Sequence, residues 1–155
     1  VDPALHQFLQ DQTGMRLGEI TSMLNSRSGL LGLSGISNDM RTLAEAASTG
    51  NDRAKLAIEV FCYRLAKSVC GLMAALDSID ALVFTGGIGE NSAAVRALTV
   101  AHLKVLGVEL DETKNAAHGR AGGGLVSSSN SRIPCLVVPT NEELMIARET
   151  ARLIS

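Results

Sequence analysis

Through most of the chain apolar residues recur every three or four positions, and three of those runs close on a glycine, at Gly14, Gly50 and Gly107. Asp2 followed by Pro3 reads as an N-cap with proline at the first helical position, opening a helix that Gly14 stops. Leu17, Ile20, Met23 and Leu24 mark a second helix to about Asn25. The run Ser28-Gly29-Leu30-Leu31-Gly32-Leu33-Ser34-Gly35 then breaks the period and reads as an apolar loop packed against something. A third helix starts near Asp39, with Asn38 or Asp39 as its cap, and ends at Gly50. The longest follows from Asp52 to about Leu76, with Ala54, Ala57, Ile58, Phe61, Leu65, Val69, Leu72 and Leu76 on one apolar stripe. Its length of about 24 residues would span about 36 Å.

Two stretches carry a different pattern. Ala81-Leu82-Val83-Phe84-Thr85 and Cys135-Leu136-Val137-Val138 are short, continuous apolar runs, the signature of strands buried on both faces and hence of a parallel sheet. Between them lie a glycine turn from Gly86, a helix from Ser92 to Leu106 with Val95, Leu98, His102 and Leu106 on its stripe, and a short edge strand over Gly107–Asp111. Asp111 to Arg132, rich in glycine and serine, reads as a surface excursion with a two-residue strand at Leu125-Val126. Thr140 to Leu153 forms the last helix, with Met145, Ile146 and Leu153 on its inner face. Strand, glycine turn, helix, strand, helix is the right-handed crossover pattern of an α/β fold. Two strands buried on both faces do not make a stable sheet by themselves, so partner strands are expected to be missing.

Composition narrows the classes. At 155 residues the chain has the length of one compact domain, and 46% hydrophobic with 19% charged residues excludes both disorder and a membrane span. Fourteen basic against sixteen acidic residues, with 3% aromatics, argues against a nucleic-acid surface. Cys62, Cys70 and Cys135 form no metal-binding spacing, and an odd count without a signal peptide points to a reducing cytoplasm. Cys62 and Cys70, set among Ala, Leu and Val, read as buried and inert. The chain begins at Val1 rather than Met, as an engineered, processed or truncated start would.

Candidate chemistry lies at three places. Phe84-Thr85-Gly86-Gly87-Ile88-Gly89-Glu90-Asn91 joins a buried strand to a helix, where bare glycine lets a nucleotide approach backbone N–H groups. A tight turn capped by Asn91 or Ser92 explains the same residues; the run fits neither the Rossmann fingerprint nor the Walker A loop. Thr140-Asn141-Glu142-Glu143 follows the second strand. Thr140 and Glu143 have capping-box spacing, which leaves Glu142 spare as a Mg²⁺ ligand. Asp39-Met40-Arg41 reads as a cap beside a solvated arginine. His6, His102 and His118 form no hydrolase triad.

Taken in order, Ser28-Gly29-Leu30-Leu31-Gly32, Ser37-Asn38-Asp39-Met40-Arg41, Val83 through Asn91 and Pro139-Thr140-Asn141-Glu142-Glu143 resemble the C-terminal portion of the acetate kinase and propionate kinase family. The resemblance implies the acetate and sugar kinase/actin superfamily, with the chain as a helix-rich, strand-poor and incomplete ribonuclease-H-like domain. Residues 1–155 would form the C-terminal part of the second actin-like domain, without the N-terminal domain and the first strands of this one. It implies Asp39, Met40 and Arg41 in the adenosine pocket, Gly87, Ile88, Gly89, Glu90 and Asn91 as the other nucleotide segment, and Glu142 as the Mg²⁺ ligand. The cofactors implied are ATP/ADP and Mg²⁺, the substrate a short carboxylate, acetate or propionate, and the assembly a cytoplasmic homodimer without nucleic acid or membrane. The family's phosphate-binding segment, catalytic Asp and His, and transition-state Arg find no match here. The resemblance therefore implies part of an enzyme that reversibly transfers phosphoryl from ATP to acetate, giving acetyl phosphate and ADP, with this chain inactive alone. A propionate kinase fragment, a non-catalytic nucleotide-binding module and a dimerisation module are the alternatives.

Overall fold

The computed structural model describes residues 2–154. Where the length suggests one domain, the contacts divide the chain into two compact units, Val1–Phe61 and Cys62–Ser155. In the first unit, α1 (Ala4–Thr13) is capped by the Asp2 carboxylate, which accepts from the Ala4 amide at 2.8 Å, and is stopped by Gly14. Helix α2 (Leu17–Ser26) buries Ile20. The apolar run after it is not a loop: Gly29–Ser34 forms α3, and the Gly35 amide donates to Leu31 O at 2.7 Å. Only the outer glycines break the helix, Gly29 at φ 57 and Gly35 at φ 71, while Gly32 lies inside it. Helix α4 (Met40–Ser48) and the first turns of α5 (Asp52–Met73) complete this unit, whose buried apolar residues are Ile20, Met40, Leu43, Ala54, Ala57 and Ile58.

In the second unit, β1 (Leu82–Phe84) pairs in parallel with β2 (Cys135–Val137), in register Leu82↔Cys135 to Phe84↔Val137. The connection carries α6 (Gly86–Asn91), α7 (Ala93–Ala101), a 3₁₀ turn (Lys104–Leu106) and α8 (Glu112–Ala116), and α9 (Glu142–Ile154) follows β2. The fold class is the expected helix-rich α/β with few strands. Its core gathers Phe84, Val100, Val108, Val126, Ile133, Cys135 and Val137.

Several expectations are corrected. Val83 is 48% exposed, so β1 is buried on one face only, that of Phe84. The helix drawn from Ser92 to Leu106 ends at Ala101, because the chain tightens into the 3₁₀ turn that Gly107 closes at φ 68. Residues 107–111 form no edge strand but a single antiparallel bridge, Leu110↔Ser127. The excursion from 111 to 132 is not confined to the surface: α8 lies in it, and Val126 and Ser127 are buried because the Val126 amide donates to Cys135 O at 2.9 Å. Helix α9 has no inner face among the described residues, with Met145, Ile146 and Leu153 exposed by 54%, 67% and 85%. Periodicity marks which face an element would bury, not whether a cover is present. Helix α5 stops at Met73, short of the expected Leu76, and its end behaves likewise, with Leu72 exposed and Cys70 exposed rather than buried.

Residues 124–126 reach β2 through two glycines that tolerate nothing larger. A Cβ on Gly124, at φ 92, would collide with Val137 O, and one on Gly119, at φ 67, would stand 2.5 Å from Gly124 O. Gly124→Ala and Gly119→Ala are each expected to lower unfolding free energy by about 2 kcal/mol or more. Gly123→Ala, at φ 62 but in open space, should lose only about 1 kcal/mol. Urea midpoints of the three variants measure the difference.

Candidate functional site

Beyond β1 the backbone stays extended at Thr85, turns at Gly86 with φ 71, and winds at once into α6, so the predicted glycine loop is a short helix. Gly89 sets the helix against the strand it leaves: an added Cβ would lie 3.3 Å from the Phe84 carbonyl carbon. Gly87 is different. It is exposed, its φ is not in the left-handed region, and a Cβ there would meet nothing within 4 Å. Neither packing nor backbone strain requires glycine at that position. Ile88 is 39% exposed, and Asn91 Nδ2 donates to Gly87 O at 2.9 Å. Of the two caps left open for α7, Ser92 is the one used, its Oγ accepting from the Val95 amide at 3.2 Å.

Glu90 does not face outward as a free carboxylate. Its Oε1 accepts from the Gly86 amide at 2.9 Å, the Thr140 amide at 2.8 Å and the Thr140 hydroxyl at 3.0 Å. These bonds, the Thr140 amide foremost, hold the Glu90 carboxyl below its ordinary pKa. Thr140 is consequently unavailable for the predicted capping box. Asn141 caps α9 instead, its Oδ1 accepting from the Leu144 amide at 3.1 Å. Glu142 opens α9 exposed, with no side-chain partner among the described residues. No group of three His, Cys, Asp or Glu that could hold a metal occurs among them. A single free carboxylate suits Mg²⁺, which keeps several waters and shares its remaining positions with phosphate oxygens; it does not suit a protein-caged metal.

The sequence reading missed Arg96, which is 0% exposed. Its Nε donates to Asn115 Oδ1 and its Nη2 to Asn115 O, both at 2.7 Å, while Nη1 donates to Gly89 O at 2.7 Å and Glu90 O at 3.0 Å. The guanidinium thus closes the carbonyl end of α6, where a cation is favoured, and ties it to α8. Desolvation pushes its pKa down, yet four oxygens satisfy it and arginine stays charged. His118, at φ 55, adds a contact from Nδ1 to Glu90 O at 2.8 Å and one to Arg96 Nη2 at 3.2 Å. One nitrogen cannot both donate to the carbonyl and accept from the guanidinium, and the shorter contact assigns the proton to Nδ1. The signal lay in the phase of α7: of the predicted stripe Val95, Leu98, His102 and Leu106 only Val95 is buried, and the other buried positions are Arg96, Thr99 and Val100.

In the first unit, Asp39 caps α4 as expected. Its Oδ1 accepts from the amides of Arg41 at 2.9 Å and Thr42 at 3.1 Å, and its Oδ2 from Arg41 Nη2 at 3.2 Å. The Arg41 side chain, then the Thr42 amide, hold the Asp39 carboxyl below its ordinary pKa. Met40 is buried at 7% exposure, and Arg41 is solvated. The approach to this turn is fixed by buried Ser34, whose Oγ accepts from the Ile36 amide at 3.1 Å, and by Ser37 Oγ, which accepts from the Asp39 amide at 3.0 Å. Arg53 Nε steadies the end of α3, donating to Leu33 O at 3.1 Å.

Adjacent parallel strands whose carboxyl ends carry the glycine helix and the free carboxylate define an α/β protein with its candidate site at those strand ends. The acetokinase family model matches residues 1–148, and the chain belongs to that family. It is 54% identical over 154 residues to the acetate kinase of Deinococcus radiodurans and 55% identical over 153 residues to that of Dichelobacter nodosus, with 99% of this chain covered in each. Among solved structures it resembles a propionate kinase from Francisella tularensis, at 45% identity and TM-score 0.86 over 96% of the chain. The acetate kinase of Porphyromonas gingivalis gives 36% identity and TM-score 0.84 over 100% of it. The chain spans only 38% and 39% of the two curated relatives, and 37% and 39% of the two solved chains.

Two measurements follow. Arg96→Met strands the Gly89 carbonyl and Asn115 Oδ1 and should lower stability by about 3 kcal/mol or more, read by urea unfolding. For Glu90 the folded pKa lies below the unfolded one, so its contribution is complete above about pH 4.3 and disappears as pH falls through the lower folded value. Glu90→Gln should therefore show a shallower loss of stability than the parent chain between about pH 5 and 3, in denaturant midpoints taken across that range.

Proposed function

We propose that this chain is the nucleotide- and magnesium-binding portion of an acetate kinase. It would correspond to the C-terminal part of the second ribonuclease-H-like domain of its longer relatives. The single observation that carries the reading is the 54% identity to an acetate kinase over 154 residues. In the reaction a carboxylate oxygen attacks the γ-phosphorus of ATP, the bond from that phosphorus to the β,γ-bridging oxygen breaks, and acetyl phosphate and ADP result. The intact enzyme would act in the cytoplasm as a homodimer; no helix among the described residues is long and apolar enough to cross a membrane.

The residues here bind rather than react. In the first unit Asp39, Met40 and Arg41 would contact adenosine, and in the second the segment from Gly87 to Asn91 would contact nucleotide. Glu142 would hold Mg²⁺, which when bound neutralises phosphate charge. Arg96 is buried with all its nitrogens engaged, so it offers no cation to a transferring phosphoryl group. The chain is therefore expected to form no acetyl phosphate from ATP and acetate by itself; robust production in a hydroxamate assay would overturn this reading.

Gly87 supplies the sharper test, because a methyl group there meets no protein atom. Inside a helix, Gly87→Ala should raise stability by up to about 1 kcal/mol. If the open face receives nucleotide, the same change should weaken Mg·ADP binding by about tenfold, measured by calorimetry. Unchanged binding would remove Gly87 from the nucleotide segment.

A further inference from the structure

We propose that Glu90 is a positioning residue whose carboxylate splices the glycine helix α6 to the turn that presents Glu142, holding the two in one register. The inference rests on the proposed nucleotide and metal roles of those segments. The parallel ladder opens with the Leu82 amide donating to Pro134 O at 2.9 Å and ends with the Val138 amide donating to Phe84 O at 2.9 Å. With donors alternating every second residue, the next amides in register belong to Gly86 and Thr140. Gly86 turns away at φ 71, so neither can continue the ladder. Both donate instead to Glu90 Oε1, at 2.9 and 2.8 Å, and the Thr140 hydroxyl joins them at 3.0 Å.

One oxygen thus stands where the next rung would be, between segments fifty positions apart in sequence. Three donors saturate it, which leaves Oε1 nothing to offer a nucleotide. The main chain of Glu90 is held as well, its carbonyl accepting from Arg96 Nη1 at 3.0 Å and His118 Nδ1 at 2.8 Å. Within the nucleotide segment, then, Glu90 acts inward. Two residues beyond Thr140 the chain presents the free carboxylate of Glu142, so the splice sets where that carboxylate stands relative to Gly87.

The test is calorimetric titration of the full 155-residue chain with ADP, with and without Mg²⁺, for the parent, Glu90→Leu and Glu90→Gln. Glu90→Leu should cut the Mg²⁺-dependent gain in ADP affinity by about tenfold, with a smaller loss of Mg²⁺-free affinity. Glu90→Gln keeps an acceptor oxygen and should fall between. A residue of purely structural importance would lower both affinities alike, and that outcome overturns the proposal. Amide hydrogen exchange supplies an arm that needs no nucleotide: in Glu90→Leu, or in Glu90→Gln if the leucine variant does not fold, protection at Gly86 and Thr140 should drop together. Loss at one without the other refutes the splice. A parent chain that binds no ADP refutes the nucleotide reading instead, and the exchange result still decides whether Glu90 joins the two segments.

Discussion

The parallel pairing of β1 with β2 covers three residue pairs, from Leu82↔Cys135 to Phe84↔Val137, and every candidate residue of the second unit leaves from the carboxyl end of that pair. So short a ladder fixes strand direction but cannot by itself aim the segments beyond it. Three devices take over where the ladder stops. Gly124 lets its backbone lie against the far side of β2, with the Val137 amide donating to Gly124 O at 2.8 Å. Glu90 gathers the two amides that would have come next, and Arg96 grips the carbonyl end of α6 from below. Remove any one and the strand ends keep their pairing but lose their bearing.

Arg96 is the unusual member of this set, since a buried cation without a carboxylate partner is costly unless its donors are met. Here carbonyl and amide oxygens meet them, and the C-terminal dipole of α6 adds a favourable field. Removing such a group would leave oxygens it now satisfies unpaired, and its presence fixes one geometry. The guanidinium is planar and forked, so Gly89, Glu90 and Asn115 can satisfy it in only one arrangement. That rigidity suits a segment whose own sequence, Gly86-Gly87-Ile88-Gly89, would otherwise be among the most pliable in the chain.

Much of this was legible in the residues. The caps at Asp2, Asp39 and Ser92, the glycine stops and the two parallel strands follow from local chemistry, which a sequence states directly. The failures share a different cause. Glycines 29, 32 and 35 look alike as breakers in sequence, although only the outer two take positive φ. Thr140 has the spacing of a capping box, but a carboxylate from far along the chain competes for it and wins. Arg96 was passed over because arginine inside an apolar arc looks like an error of phase until Asn115 is seen beside it. The apolar faces of α9 and late α5 are real periodicities, and the described residues simply do not cover them. Of the candidate site, the identities came from motif order, whereas the inward role of Glu90 needed the fold.

The three cysteines give the molecule an internal gauge of its own opening. Cys62 and Cys135 are wholly buried, and burial pushes both thiols up, Cys135 to about 11. Cys70 is exposed on the outer side of α5. A native molecule therefore presents one reactive sulfur and an unfolded one presents three, with Cys135 sitting in the strand on which the candidate site is built. The rate at which Cys135 becomes alkylatable is thus a clock for the opening of the sheet itself, and that of Cys62 one for α5, both readable by mass without any probe being added to the chain.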